Sequence, residues 1–172
     1  MANPDGGGLV NLVSLGRIES LAAMTEQALY EIMKRHPLAV LSTVAHTTVP
    51  QAALIGIAVT SDLEIVFDTL KSSRKYRNLT ENQNVALVVD CGNESTVQYE
   101  GLAAELFGTG REHYQAVYFE VFPDGRERQK WPNIAYFVIR PKWVRYSDFS
   151  KQPEQIIESS ADSKFQQWQV AP

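Results

Sequence analysis

From Pro37 onward the apolar residues of this chain recur mostly at every second position, and three stretches, one before Pro37 and two after it, take helical spacing instead. Ala28, Leu29, Ile32 and Met33 follow a helical repeat behind Thr25, a residue suited to cap a helix, and Pro37 stops the run. The spacing predicts a helix over 26–35. Leu38 to Val44 is a short apolar run, Thr47-Thr48-Val49-Pro50 is turn-like, and Ala52 to Val59 reads as a second strand. Leu63, Ile65 and Phe67 alternate with Glu64, Val66 and Asp68, the period of a half-buried strand. A helix over 72–81 follows, then strands over 85–91 and 96–106 separated by the turn Gly92-Asn93-Glu94-Ser95. Thr109 is placed to cap a helix over 110–121, which Pro123-Asp124-Gly125 ends. Ile134 to Ile139 and Trp143 to Ser147 read as two last strands around a turn at Arg140-Pro141-Lys142.

About seven strands with hairpin-length connections favour antiparallel pairing, because a parallel crossover needs a dozen residues or more. The helices are too few to alternate with the strands of a doubly wound sheet. Closing the sheet on itself removes exposed edges. The expected fold is therefore mostly β, an antiparallel barrel of six to seven strands with peripheral helices. Residues 21–150 form its one domain, 1–20 a mobile N-terminal segment, and 151–172 a tail that is partly helical.

Composition narrows the function. Hydrophobic residues are 44% of the 172, an ordinary globular level. The formal net charge of −4 argues against a nucleic-acid partner, which requires a basic face. The Leu9–Leu15 stretch is too short to span a membrane, and no basic region precedes it. The single cysteine, Cys91, forms no intrachain disulfide, so a cytoplasmic setting is expected. His36, His46 and His113 share no ligand spacing, so no metal site is expected.

Against this acidic average, one segment stands out: Phe67-Asp68-Thr69-Leu70-Lys71-Ser72-Ser73-Arg74-Lys75. It runs from a strand end to a helix start and concentrates three hydroxyls and three cations. A helix N-terminus offers unpaired N–H groups and a partial positive charge, a natural seat for phosphate. The plain alternative is a capped, solvated first turn. Cations there oppose the helix dipole and cost a few tenths of a kcal/mol, which favours an anion site. Thr69 could equally bond its own backbone, and Gln98 could simply face solvent on its alternating strand. Tyr114, Tyr118, Phe119 and Phe122 form an aromatic stripe of the kind that usually packs in a core or a subunit interface. Arg126, Glu127, Arg128 and Lys130 read as a solvated loop.

The order of a helix, a Leu41-Ser42-Thr43 strand, a Pro50-Gln51-Ala52-Ala53 strand, Phe67-Asp68-Thr69 with Ser73-Arg74-Lys75, and Asn78-Leu79 resembles the pyridoxamine 5′-phosphate oxidase-like family of FMN-binding split barrels. The resemblance covers about residues 25 to 148. It implies a homodimer with FMN in the groove between the two barrels. Carried onto this sequence, Ser73, Arg74 and Lys75 would hold the FMN phosphate, and Asp68 and Thr69 would lie close to the flavin. Ala53, Leu54 and Ile55 would run along the ring, partly through backbone groups, and Gln98 would reach the cofactor from the partner subunit. The activity implied is hydride exchange between flavin N5 and a small substrate. That step needs no acid or base from the protein, so no catalytic residue is nominated.

The chain departs from the true oxidases where they bind their substrate. The basic residue that opens their second strand is Gln51 here, and the lysine that closes it is Gly56. Of their substrate-holding Tyr and Arg on the following helix, Tyr118 matches the first, whereas Phe122 stands at the second. The implied reading is a relative with a different substrate. The alternatives are a flavin carrier or sensor without turnover, and the same fold holding the deazaflavin F420 or haem. F420 would want further cations along the groove, and haem an axial ligand, for which the histidines offer no strong candidate.

Overall fold

The computed structural model describes residues 26–45 and 48–160, so the Thr25 cap and both chain ends fall outside the described residues. The elements are α1 (Glu26–Lys34), β1 (Leu38–Val44), β2 (Pro50–Gly56), β3 (Ala58–Val59), β4 (Ile65–Leu70), α2 (Arg74–Glu81), β5 (Asn84–Asp90), β6 (Ser95–Glu105), α3 (Gly108–Val121), α4 (Gly125–Arg128), β7 (Ile134–Asp148) and β8 (Gln155–Ser160). The strands form one antiparallel sheet in the order β2-β1-β5-β6-β7-β4-β3, with β8 beside the second half of β7. The two end strands, β2 and β3, are consecutive in the chain and separated by Ile57 alone. The sheet therefore curls until its ends meet, as a split barrel does. At the seam, Cα atoms of β2 and β4 come within 8 Å, yet the strands do not pair.

Alternation fills the interior. Ala39 and Leu41, Ile55, Ile65 and Phe67, Val85, Leu87 and Val89, Val97 and Tyr99, and Phe137 and Ile139 all point inward and are buried. The Phe67 and Phe137 rings stack at 5.5 Å between centroids. Burying each such side chain stabilises the fold by about 1.5–3 kcal/mol. On the other side of β4 and β7, Val66, Ile134 and Tyr136 pack against Tyr118 and Phe119 of α3. These two strands are covered on both faces, which is why Ile134 to Ile139 shows no polar alternation.

Several expectations are corrected. The second strand breaks at Ile57, whose N–H turns to the Pro37 carbonyl. No turn forms at Arg140-Pro141-Lys142, and β7 runs straight through. β4 pairs with β7 as far as Ile139 and β8 takes over at Trp143, so Pro141 falls where that edge has no partner and its missing N–H costs no ladder bond. The ladder to β6 shifts register there instead: Glu100 pairs with Trp143 and Gly101 with Pro141, so Lys142 is the extra residue of a bulge in β7, and a side chain at Gly101 would strike the Arg140 carbonyl. Thr109 does not cap α3: Phe107 holds the cap position and Gly108 turns with φ +61°. The 126–130 run is not a loop, since α4 occupies much of it. In the expected tail, Gln155–Ser160 is a strand, and residues 161–172 lie outside the described residues.

A buried carboxylate ties α3 to the barrel. Glu64 is 4% exposed, accepts a 2.8 Å hydrogen bond from Tyr114 Oη and lies 3.4 Å from Arg140 Nε. Burial raises its pKa above the ordinary value, against the opposing pull of Tyr114 and Arg140, while nearby Asp62 pushes the same way as burial. A folded pKa above the unfolded one means stability is lost as pH rises from the unfolded value through the folded one. Glu64→Gln keeps an acceptor for Tyr114 and removes that loss. The variant is expected to match the native protein at pH 4 and to equal or exceed it by up to about 1 kcal/mol at pH 8 in urea titrations. A variant markedly less stable at pH 8 would show that the ion pair with Arg140 outweighs burial.

Candidate functional site

The site is built around the start of α2. Ser73 caps the helix in extended backbone, and its Oγ accepts the Tyr76 N–H at 3.2 Å. Thr69 ends β4 on the barrel side, 3.0 Å from Ser73 Oγ, and Lys75 Nζ donates to Thr69 Oγ1 at 3.5 Å. Thr69, Ser73 and Lys75 are thus one cluster. No acidic residue stands in the first turn. Lys71 is neutralised by Glu105 at 3.1 Å, and Tyr76 Oη donates to the same carboxylate at 3.0 Å. Arg74 and Arg77 differ: neither guanidinium has an ion pair or hydrogen bond among the described residues. Helical side chains lean toward the N-terminus, so Arg77, one turn along, reaches back toward Arg74. Arg77 did not stand out in the sequence; its signal was the i, i+3 spacing from Arg74.

From this cationic end the site continues along β2. Asn78 of α2 donates to Thr43 Oγ1 at 2.9 Å and to Gln51 Oε1 at 3.2 Å, setting the helix across the start of β2. β2 pairs with β1 alone, so its far edge leaves backbone N–H and C=O groups open toward β4. β3 pairs with β4 as Ala58↔Val66 and Val59↔Ile65. That register continued through Ile57 sets Gly56 across from Asp68, and Ile55 across from Thr69. Ala53, Leu54 and Ile55 therefore border the same seam as Asp68 and Thr69. Their side chains do not converge: Ile55 is in the core and Leu54 is exposed on the outer face.

Asp68 and Thr69 also point apart, as successive strand residues must. Asp68 faces α3 and α4, where Arg128 Nε donates to it at 3.0 Å and Arg128 Nη2 donates to Tyr118 Oη at 3.4 Å. Arg128 also pairs with Asp124. Burial first, then the Asp68 charge, raises the Tyr118 pKa. Next to Asp68, Phe122 rests on Gly56: a Cβ added there would lie 2.8 Å from Phe122 Cζ. The Phe122 and Tyr118 ring centroids are 4.9 Å apart. The far end of the seam is therefore aromatic where its near end is cationic.

Gln98 stands elsewhere. It is exposed on the outer face of β6, in a row that runs Leu54, Val40, Val88, Gln98, Arg145 across β2, β1, β5, β6 and β7. Three strand spacings, roughly 14 Å, separate it from Leu54 in the same subunit. The same face carries a depression of about 370 Å³ lined by His36, Leu38, Val40, Leu54, Val88 and Arg35, among others. Spacing in the sequence does not associate His36 with those apolar residues; the β1–β2 and β1–β5 pairings do. Burial raises the Cys91 thiol to about 11, which keeps it protonated and unreactive at neutral pH. Among the described residues no group of His, Cys, Asp and Glu could hold a metal, and no helix is long and apolar enough to cross a membrane.

Comparison with known proteins bears on the fold and the family. No curated protein matches the chain by sequence. Among solved structures, it is similar to a haem-binding protein from Mycobacterium smegmatis, with TM-score 0.69, 12% identity and coverage of 80% of this chain and 58% of that one. The chain thus spans little more than half of that relative. It is similar to a pyridoxamine 5′-phosphate oxidase-related, FMN-binding protein from Nostoc punctiforme, with TM-score 0.60, 11% identity and coverage of 80% and 97%. It is also similar to the haem storage protein HutZ from Vibrio cholerae, with TM-score 0.56, 14% identity and coverage of 66% and 87%. At these identities the likeness is one of fold. Residues 25–148, most of the chain, match the pyridoxamine 5′-phosphate oxidase family, and with its split barrel the chain belongs to that family.

Proposed function

We propose that the protein is an FMN-dependent oxidoreductase acting as a homodimer on a small substrate, and that it is not a pyridoxamine phosphate oxidase. The observation that carries this reading is the pair of guanidinium groups, Arg74 and Arg77, without an ion pair or hydrogen bond among the described residues, at a helix start without acidic residues. Such charge is unfavourable to the helix by itself and fits a phosphate, with Ser73, Lys75 and the first-turn N–H groups beside it. The open edge of β2 then offers backbone donors and acceptors to a flat ring. FMN bound there would supply the hydride exchange, and the protein would orient it. The fit of the chain's own residues is to the phosphate and the ring edge.

A second reading has its own observation. His36 stands at the rim of the 370 Å³ depression, whose walls include Leu38, Val40, Leu54 and Val88, with Arg35 nearby. An imidazole over an apolar wall suits haem, with Arg35 for a propionate. The visible spectrum of the purified protein separates the two. Flavin bands, or their appearance after adding FMN, are expected. A Soret band lost in His36→Ala would establish the haem reading instead, and a protein that takes up neither group would remove both.

A further inference from the structure

We propose that Phe122 determines what the site accepts, by closing the Asp68 end of the β2–β4 seam to anionic groups and leaving it an uncharged, aromatic surface. The inference rests on the reading of the seam as the ligand site. Phe122 ends α3, and the turn beyond it is fixed: Gly125 N–H bonds the Phe122 carbonyl at 2.9 Å, and a Cβ at Gly125 would meet Phe119 at 2.8 Å. The ring has little freedom to swing away. It covers Gly56, where no larger residue fits beneath it, and it lies against Tyr118.

Among the described residues, three guanidinium groups near this end are engaged with other groups. Arg128 is held by Asp68 and Asp124. Arg111 lies over the Tyr136 ring at 4.9 Å, and Arg126 over Phe119 at 5.2 Å. A phosphate placed at Gly56 would meet ring carbon and the carboxylate of Asp68, whose own cation, Arg128, is already paired. Desolvating an anion against such a surface is strongly unfavourable. A planar, uncharged group stacking on Phe122 and Tyr118 suits it better. The selectivity thus comes from one side chain and from the glycine that makes room for it.

The test is equilibrium dialysis with pyridoxine 5′-phosphate, which has no aldehyde to condense with lysines, against protein first saturated with FMN. The native protein is expected to show no saturable binding up to about 1 mM. Phe122→Arg is expected to gain at least tenfold in affinity for the phosphate ester, with unphosphorylated pyridoxine unchanged. Phe122→Ala, should the arginine variant not fold, is expected to admit pyridoxine more readily and still to show no preference for the phosphate. Saturable binding of the ester by the native protein would overturn the proposal. So would a folded Phe122→Arg or Phe122→Ala that leaves both ligands unchanged. FMN uptake is read separately from its absorbance: if no FMN binds, the reading of the seam has failed, and the dialysis without FMN still tests Phe122.

Discussion

Replacing Arg74 and Lys75 together by alanine is expected to strip the protein of FMN while leaving it folded. Each charge-assisted hydrogen bond to a phosphate contributes about 1.5–3 kcal/mol. Losing both weakens binding by about 3–6 kcal/mol, or roughly a hundred- to ten-thousandfold. The fold has little at stake in these side chains. Among the described residues the Arg74 guanidinium has no ion pair or hydrogen bond, and Lys75 makes one long contact with Thr69. The Ser73 cap and the Asn78 bonds to Thr43 and Gln51 stay in place. The two cations also oppose the helix dipole, so their removal should leave the melting temperature unchanged or slightly raised. That sign separates a ligand grip from a structural role, which would lower it. Isothermal titration with FMN and a thermal melt of the same sample give both readings. A double variant that purifies with full flavin would remove the phosphate site.

The candidate site is a consequence of how the barrel closes. A sheet closed by continuous pairing would leave no free strand edge. Here the chain kinks at Ile57, so β3 takes up the pairing with β4 and β2 is left alongside it unpaired. The open edge is bounded at one end by the α2 terminus and at the other by Phe122 and the Arg128–Asp68 pair. Charge and apolar surface are thereby segregated across β4, because Thr69 beside Ser73 and Lys75 and Asp68 beside Arg128 are successive residues that point apart. A ligand with a phosphate at one end and a flat ring toward the other suits that polarity.

What could be read beforehand was whatever depends on neighbours in sequence. The alternation of β5 and β6, the Ser73 cap and the cationic first turn were all legible, since each is set by residues within a turn or two of each other. Several misreadings are non-local. Pro141 looks like a turn from its neighbours, and only the gap between the β4 and β8 pairings shows why it can stay in a strand. Arg128 looks solvated in its charge run, yet its partner Asp68 lies sixty positions away. Asp68 was set near the flavin by the family resemblance; its pairing with Arg128 follows from which face of β4 is covered by α3. The Gly56–Phe122 contact was foreshadowed by two separate departures from the family pattern, but nothing in the sequence says that the two positions touch.

The outer face of β2, β1 and β5 carries the second large expectation. Leu38, Val40, Leu54 and Val88 are each 43–66% exposed there, side by side in register, with Ala52 and Ala86 in the neighbouring row. An exposed apolar surface of this kind suits a partner, and a second copy of the chain would offer an identical one by two-fold symmetry. Replacing Val40 and Leu54 by glutamate places four carboxylates in the dimer interface, because symmetry doubles each change. Each one forfeits about 1.5–3 kcal/mol of apolar burial and adds the cost of desolvating an unpaired charge. Dimerisation should weaken by at least about ten-thousandfold, giving a monomer at micromolar concentration. The barrel should persist, since both side chains point away from its core. Light scattering coupled to size exclusion reads the mass, and FMN titration of the same variant reads the site. A native protein that runs as a monomer, or a double variant that remains dimeric, would rule out this face as the interface. A monomer that binds FMN with native affinity would show that one subunit holds the cofactor by itself.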